Sequence, residues 1–325
     1  MKLLFSAIML MQGFLLQAQK ARPDFNQFFP IDNSHSYVEF SIKYMGAAKV
    51  RGRFADFSGL IFYDEKSLAS TSVSIAIKTA SINTDLEFRD NDLKSPNWFD
   101  ATKYPTILFQ SKSAVKTATG FDITGDITIK AVIKEIVLHM EAPSPVMKDV
   151  RADMQVVFTG TTRLDRTVFG VEGKNWSAVK EGMTAVENEV TIEVSMLGKQ
   201  AQRANYVNRF KDPEEPTGKV FKVIQEKGVD AGIAEFDKMK NTSTIDAATL
   251  YMVGKMLRLD GKTSEAMKVF EHNKQLFPDS PLVYMSLGET YLIMGNTELA
   301  KEQFTVALAK DPLSVIPREY LRHLD

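Results

Sequence analysis

Hydrophobic and polar residues alternate with a period of two through most of residues 31–200. In the first such segment, Val38, Phe40, Ile42 and Tyr44 are separated by polar or charged residues. Further segments with the same alternation are 72–77, 121–129 and 189–196. A period of two gives each strand one buried face and one solvated face, as antiparallel sheets require.

About eight segments of this kind are separated by clusters of Gly, Pro, Asn and Asp, which favour turns. Their number and spacing are typical of a β-sandwich or a closed β-barrel. The stretch 85–100 breaks the alternation and predicts a short helix or an ordered loop. Residues 20–200 are therefore predicted to form one all-β antiparallel domain.

From residue 219 to residue 325 the hydrophobic positions recur with helical spacing instead. Several residues also recur at an interval of 34 positions. The recurring pairs include Gly254 and Gly288, Gly261 and Gly295, Ala266 and Ala300, Phe270 and Phe304, and Pro278 and Pro312. This interval and these residue types resemble the tetratricopeptide repeat, a pair of packed helices. The polar residues 201–218, with two prolines, predict a linker between the two domains.

Residues 1–19 have the plan of a secretory signal peptide: one lysine, an apolar run, and small or polar residues near Ala18. The alternative, a transmembrane anchor, is disfavoured because Gln12 and Gly13 interrupt the run. We therefore expect cleavage after Ala18 or Gln19 and a periplasmic or secreted bacterial protein. No later stretch is long and apolar enough to predict a membrane span.

Composition narrows the function classes further. The formal net charge of −1 gives no electrostatic footprint for nucleic acid, so no nucleic-acid partner is expected. The absence of cysteine excludes disulfides, thiolate metal sites, a cysteine nucleophile and a lipid-modified cysteine anchor. The four histidines are far apart, and no catalytic or nucleotide-binding motif is present. The sequence therefore predicts neither a metal site nor an enzyme.

Six sequence blocks occupy the β region in order. They are DNSHS at 32–36, VRGRF at 50–54, ASINT at 80–84, WFD at 98–100, GDITIKAVIKEIVL at 125–138, and Arg166 with FGV at 169–171. Together they resemble the YceI-like family over about residues 30–198. The resemblance implies an exported, lipocalin-like antiparallel barrel with an elongated apolar cavity. It also implies a long amphiphilic ligand, an isoprenoid or quinone-like lipid. No cofactor is expected. Tyr44 and Asp92 stand where members of the family often carry histidines.

Aromatic and branched residues on the inward faces are the candidate ligand wall. An eight-stranded barrel either fills its interior with side chains or holds one small ligand, so a filled core is the alternative to a cavity. The candidate wall residues are Phe40, Ile42, Tyr44, Phe54, Phe57, Phe109 and Phe169. Arg89 and Lys94 are candidates for contacting an anionic or carbonyl head group. The alternative for these two residues is a salt-bridged loop.

The helical region suggests a second kind of function, because stacked repeats form a concave surface that binds a peptide or protein. The candidate partner-binding residues are Tyr251, Lys255, Arg258, Met285, Glu289 and Leu292. The alternative is a module for oligomerisation or for packing on the barrel. Because the periodicities differ and a polar linker joins them, residues 20–200 and 219–325 are expected to fold independently.

The leading hypothesis is a non-enzymatic carrier or binding protein for a long apolar amphiphile, with a protein-docking repeat tail. Two alternatives stay open. One is a scaffold or stress-response protein with a filled barrel. The other is an enzyme acting on an isoprenoid or lipid, with Asp90 or Asp92 as a general base beside Arg89. An apolar cavity in the structure would separate the first two hypotheses, and turnover of extracted ligand would test the third.

Overall fold

The computed structural model describes residues 24–173, 176, 185–200, 210, 212, 214–239 and 245–324. The predicted signal peptide, residues 1–19, and most of the predicted linker, residues 201–218, lie outside the described residues. The described chain consists of a curled β-sheet followed by a stack of helices, in the order that the two periodicities predict.

Twelve strands form the sheet in the part of the chain that the structure describes. They are β1 (Phe28–Pro30), β2 (Tyr37–Tyr44), β3 (Ala48–Phe54), β4 (Phe57–Phe62), β5 (Ser72–Lys78), β6 (Ile82–Asn83), β7 (Thr106–Lys116), β8 (Gly120–Ile129), β9 (Val132–Glu141), β10 (Met147–Lys148), β11 (Met154–Asp165) and β12 (Val186–Gln200). All their pairings are antiparallel, so the predicted antiparallel, lipocalin-like barrel class is confirmed. The strand number exceeds the predicted eight mainly because β1, β6 and β10 contain only two or three residues each.

The order of strands across the sheet is β1-β4-β5-β7-β8-β9-β11-β12-β2-β3-β6, and β10 pairs with β11 beside this path. Ile31, directly after β1, forms an additional bridge with Gly198 of β12. The segment at β1 thus connects β4 with β12 across the curl of the sheet. Register shifts at Ser111–Ser113 in β7 and at Val186–Val190 in β12 mark bulges, which increase the local twist.

The concave side of the sheet holds the apolar core, because alternate residues of each strand point inward. Strand β8 follows this rule: Phe121 and Ile123 are buried, whereas Asp122 stays partly exposed. Strand β5 departs from it, since Ser72 and Ser74 on its outer face are buried as well. The polar face of β5 is therefore not a solvated face, contrary to what the alternation predicts.

Eight α-helices lie in the described residues. They are α1 (Glu87–Lys94), α2 (Pro216–Lys227), α3 (Val229–Met239), α4 (Ala247–Leu259), α5 (Thr263–Leu276), α6 (Pro281–Ile293), α7 (Thr297–Lys310) and α8 (Val315–Leu324). Helix α1 lies within the stretch 85–100, where the sequence predicts a break in the strands. No helix of the described chain is long and apolar enough to cross a bilayer.

Helices α4 and α5, and then α6 and α7, form the two pairs predicted by the 34-residue interval. A Cβ atom at Gly254 would overlap the ring of Phe270, and one at Gly288 would lie 2.6 Å from an atom of the Phe304 ring. This close approach explains why the repeat requires a small residue in its first helix.

The last helix, α8, packs on the outer side of the β-sheet. Phe28, Leu60 and Phe62 of the sheet join Tyr320 and Leu324 of α8 in one buried apolar cluster. The two parts of the chain therefore share an apolar interface, in line with the alternative in which the repeats pack on the barrel.

Candidate functional site

A cavity of about 690 Å³ lies inside the curled sheet, a size typical of small-molecule sites. Its wall consists mainly of apolar side chains from β2, β3, β7, β8, β11 and β12, and α1 contributes residues at one end. Phe88 of α1 lines the cavity and is nevertheless 69% exposed to solvent. Helix α1 therefore marks the mouth of the cavity.

Six of the nine predicted ligand residues line this cavity: Phe40, Ile42, Tyr44, Phe54, Phe169 and Arg89. Phe109 lines a second, smaller cavity deeper in the barrel. Phe57 is packed in the apolar core and Lys94 ends α1, and neither lines either of these two cavities. The structure thus brings together most of the predicted wall and separates Lys94 from it.

The second cavity measures about 80 Å³ and extends the apolar interior. The two cavities have the same five residues in common at their boundary: Val38, Ile77, Ile127, Leu164 and Ile192. They are therefore adjacent sections of one elongated interior, wide near α1 and narrow beyond this boundary. This shape suits an extended chain better than a compact ligand.

Register places two strands side by side along the cavity wall. Phe40 of β2 pairs with Ile192 of β12, and Ile42 pairs with Val190. All four residues line the cavity because strand pleating directs every second side chain to the same face. Val190 and Ile192 are not among the predicted wall residues, although their place in the alternation at 189–196 is a sufficient signal for an inward position.

Gly52 of β3 leaves room for the aromatic wall. It pairs directly with Phe40, and a Cβ atom at position 52 would overlap the Phe40 ring and lie 2.8 Å from Cγ2 of Thr84. The glycine in the VRGRF block is therefore required by the close approach of a cavity side chain.

Replacing Gly52 with Ala is expected to force the Phe40 ring out of its place and to destabilise the fold by about 1–3 kcal/mol, the usual cost of overpacking. Urea denaturation of the two proteins measures this difference. In a Phe40→Leu background the same substitution should cost much less, because the overlapping ring is gone. An equal cost in both backgrounds would show that Phe40 is not the residue that Gly52 accommodates.

Polar residues at the mouth are engaged in local hydrogen bonds. Asp90 is buried, and its Oδ1 accepts from the Thr84 amide at 2.8 Å and from the Thr84 hydroxyl at 2.5 Å. Arg89 donates to the Thr84 hydroxyl and carbonyl oxygens at 2.8 and 2.9 Å. Asp92 accepts from the indole N–H of Trp98 at 2.9 Å. These bonds order the loop around α1, as expected of a structural role for the acidic pair.

Arg166 holds the other side of the mouth and is only 4% exposed. Its Nε donates to the Glu187 carbonyl at 2.9 Å, and Nη1 donates to the carbonyls of Val171 and Glu172, each at 2.6 Å. Nη2 donates to the Val186 carbonyl at 3.1 Å. Burial lowers the pKa of the Arg166 guanidinium, and the nearby carboxylates oppose this shift. The side chain therefore ties the segment after β11 to the start of β12.

Lys130 and Trp98 complete this side of the site. Lys130 Nζ donates to the carbonyl oxygens of Trp98 and Gly170 at 2.6 and 2.7 Å. The Arg166 guanidinium lies 5.2 Å from the centre of the Trp98 ring. In the sequence, Arg166 and the Trp98 block indicate only the family resemblance. Their partners are mostly backbone carbonyls, which leave no signature in the sequence.

Sequence comparison now identifies the domain that carries this cavity. The profile of the YceI-like domain family matches residues 29–197. The chain belongs to this family. A curated relative, Protein YceI of Shigella flexneri, is 37% identical over 108 residues, which are 33% of this chain and 56% of the relative. The chain thus spans little more than half the length of that relative.

Two solved structures cover the YceI-like region. BcnA of Burkholderia cenocepacia aligns with a TM-score of 0.45 and 22% identity, over 52% of this chain and 99% of BcnA. A polyisoprenoid binding domain from Saccharophagus degradans, implicated in plant cell wall breakdown, aligns with a TM-score of 0.40 and 14% identity. That alignment covers 54% of this chain and 98% of the other.

The two departures from the YceI-like pattern both lie at the mouth. Tyr44 lines the cavity, and its ring lies edge-on to that of Trp176, with 6.4 Å between the ring centres. Asp92 also lines the cavity, and its carboxylate holds Trp98 in place. Both side chains are therefore part of the cavity lining.

The predicted partner-binding residues lie on α4 and α6, and the structure places the chain itself against several of them. Arg258 forms a buried ion pair with Glu289 at 2.7 Å, and Glu289 accepts from the Tyr320 hydroxyl of α8 at 3.4 Å. Burial alone would lower the pKa of Arg258, but the Glu289 carboxylate raises it. Phe25 lies 6.0 Å from the Arg258 guanidinium and stacks on Tyr320.

Two of the remaining predicted partner residues pack in an apolar cluster, and the other two contact each other on α4. Met285 and Leu292 pack in the apolar cluster that contains Tyr320. Lys255 Nζ lies 3.3 Å from the hydroxyl of Tyr251 on the same helix. Binding of an external partner at these residues stays a prediction.

Proposed function

We propose that this protein is an exported, non-enzymatic binding protein that holds one long apolar amphiphile in its YceI-like barrel. One observation carries the proposal: an elongated interior of two adjoining cavities, about 690 and 80 Å³, lined almost wholly by apolar side chains, with polar groups gathered at its mouth. A filled barrel, the alternative for a scaffold or stress-response protein, does not fit this open interior.

Apolar burial supplies enough free energy for such a ligand. Each methylene that enters the cavity contributes about 0.8 kcal/mol, so ten of them contribute roughly 8 kcal/mol before the cost of ordering the chain. An isoprenoid or another long lipid meets this requirement, and family membership supports the same ligand class. Export rests on the signal peptide predicted for residues 1–19.

The polar end of the ligand is assigned to the mouth. Thr84, Arg89 and Asp92 line the cavity beside α1, and only two of the Arg89 guanidinium nitrogens donate to Thr84. A head group with hydrogen-bond acceptors therefore matches this end, whereas the apolar tail matches the interior. The mouth carboxylates already accept hydrogen bonds from the loop, which favours binding over acid–base chemistry.

Native mass spectrometry of the exported, full-length protein tests this proposal. The expected result is one bound lipid per chain, released by organic extraction and identified as a long-chain amphiphile. An Ile42→Trp variant should carry less of the adduct because the larger side chain narrows the cavity at the β2 wall. A Glu39→Gln variant, on the exposed face of the same strand, should keep it.

Two outcomes would overturn the proposal. The first is a wild-type protein that carries no adduct and takes up no polyprenyl lipid from detergent. The second is chemical conversion of the extracted lipid when it is returned to the protein, which would establish the enzymatic alternative instead.

A further inference from the structure

The outer face of β5 carries polar side chains that are nevertheless buried. Ser72 is 2% exposed and Ser74 is 0% exposed, although serines on the outer face of a barrel strand ordinarily contact water. Helix α8 of the repeat region covers them. The outer wall of the barrel therefore carries buried hydroxyl groups that require hydrogen-bond partners on α8.

The partner on α8 is Glu319, whose carboxylate is completely buried. The Ser72 hydroxyl donates to its Oε1, and the Ser74 hydroxyl donates to its Oε2 at 2.5 Å. Nε2 of His323 lies 2.6 Å from the Ser72 hydroxyl oxygen and 3.3 Å from Oε1 of Glu319. Burying a carboxylate is costly unless hydrogen bonds replace its water. Here two serines of the barrel supply that replacement, one to each oxygen.

Neighbouring contacts surround this carboxylate on both sides. Arg322 donates to the Ser111 carbonyl oxygen of β7 at 2.5 Å. The His323 ring stacks on Phe62 of β4, with 3.9 Å between ring centres and 22° between ring planes. The Tyr320 ring lies 4.7 Å from that of Phe28. The interface thus combines an apolar cluster with directional polar bonds, which fix orientation as well as contact.

We infer that the outer surface of β4, β5 and β7 is a specific docking site for helix α8, in which Glu319 between Ser72 and Ser74 fixes the repeats in one orientation on the barrel. The partner of this surface is the repeat module of the same chain. The inference does not depend on what the cavity holds. Tyr320 of α8 then occupies the predicted partner-binding surface beside Arg258 and Glu289. An external peptide would have to displace α8 to bind there.

Distance measurements between spin labels test this docking in the full-length protein. The chain has no cysteine, so the exposed pair Thr119→Cys and Glu302→Cys reports only the distance from the barrel to the repeats. The unmodified interface should give a single narrow distance distribution. The double variant Ser72→Ala and Ser74→Ala should broaden it markedly, and so should Glu319→Lys. Ser58→Ala, an exposed serine on β4, is the matched control and should change nothing.

Circular dichroism separates undocking from unfolding in these variants. Removing two hydroxyl groups changes each side chain by one oxygen and keeps the apolar residues of β5, so the serine variant keeps the test valid if Glu319→Lys fails to fold. A broad distribution in the unmodified interface overturns the inference. So does a narrow distribution that persists in the folded serine variant.

Acid should release the same interface, because its carboxylate is charged when docked. Burial raises the pKa of Glu319, but the hydrogen bonds from His323, Ser72 and Ser74 and the charge of Arg322 outweigh this effect and hold it below its ordinary value of 4.5. The facing charged or titratable groups are His323 and Arg322, both on α8, whereas β5 contributes only hydroxyls. Because docking lowers the pKa of Glu319, docking is favoured at pH values above the ordinary pKa of a glutamate. It is lost as the pH falls through the lowered value.

The distance distribution should therefore stay narrow at neutral pH and broaden only when the pH falls below the ordinary range of a glutamate. In the serine variant the broadening is already expected at neutral pH. A distribution that remains narrow in acid, down to the pH at which the protein unfolds, would contradict the role of the ionised Glu319.

Discussion

Replacing Arg166 with Met is expected to lower the free energy of unfolding by about 3–5 kcal/mol, a large part of the stability of an ordinary domain. Methionine retains much of the side-chain volume but donates no hydrogen bond. The carbonyl oxygens of Val171, Glu172, Val186 and Glu187 would each lose a donor. Leaving a buried polar group without a partner costs more free energy than the lost hydrogen bond contributed to stability.

Urea denaturation followed by tryptophan fluorescence measures this effect, since the Trp98 ring lies under the guanidinium. Arg163→Met is the control, because the side chain of Arg163 is 70% exposed and its single contact to Glu189 is 3.4 Å long. That variant should change stability by no more than about 0.5 kcal/mol. Equal losses in the two variants would show that Arg166 does not brace the mouth.

Replacing Phe40 with Asp is expected to raise the Kd for a long-chain lipid by about 100-fold or more. The substitution places an unpaired carboxylate in the apolar wall, where neither water nor a cation compensates its charge. It also removes an aromatic surface whose ring centre lies 5.9 Å from that of Phe54. Lipid that co-purifies with the wild-type protein should therefore be absent from a folded Phe40→Asp protein.

Two controls make this result specific to the cavity. Phe40→Leu keeps the wall apolar and should retain most of the bound lipid. Glu39→Gln changes the exposed face of the same strand and should retain all of it. Undiminished lipid in a folded Phe40→Asp protein would show that the face of β2 formed by Phe40, Ile42 and Tyr44 is not a ligand wall.

The alternation of the sequence predicted the inward face of β2 correctly because pleating is a local property of the chain. Phe40, Ile42 and Tyr44 share parity, and all three line the cavity. The repeat region was predictable for a similar reason, since Gly254 and Gly288 meet aromatic rings of the same helix pair. Features that arise within a few tens of residues leave a readable pattern.

Features that depend on distant parts of the chain left no such pattern. Phe57 and Phe109 have the residue type and spacing of a ligand wall, yet neither lines the larger cavity. Their surroundings depend on how the sheet curls, which strand alternation does not specify. Ser72 is covered by Glu319, 247 residues later in the chain. No local signal distinguishes it from a serine that faces water.

Strand β5 has consequences for how this protein can change. Val73 and Ile75 point to the inner cavity, and Ser72 and Ser74 point to α8. Neighbouring residues of β5 therefore lie on opposite faces of the sheet and contact different parts of the molecule. A slip of β5 by one residue in its register with β4 and β7 would exchange the two sets: hydroxyls would enter the cavity and branched hydrocarbon would lie under Glu319. Both modules would fail at once. The pairing register of β5 is therefore constrained from both faces, and the ligand specificity of β5 can be re-engineered only by substitution in place.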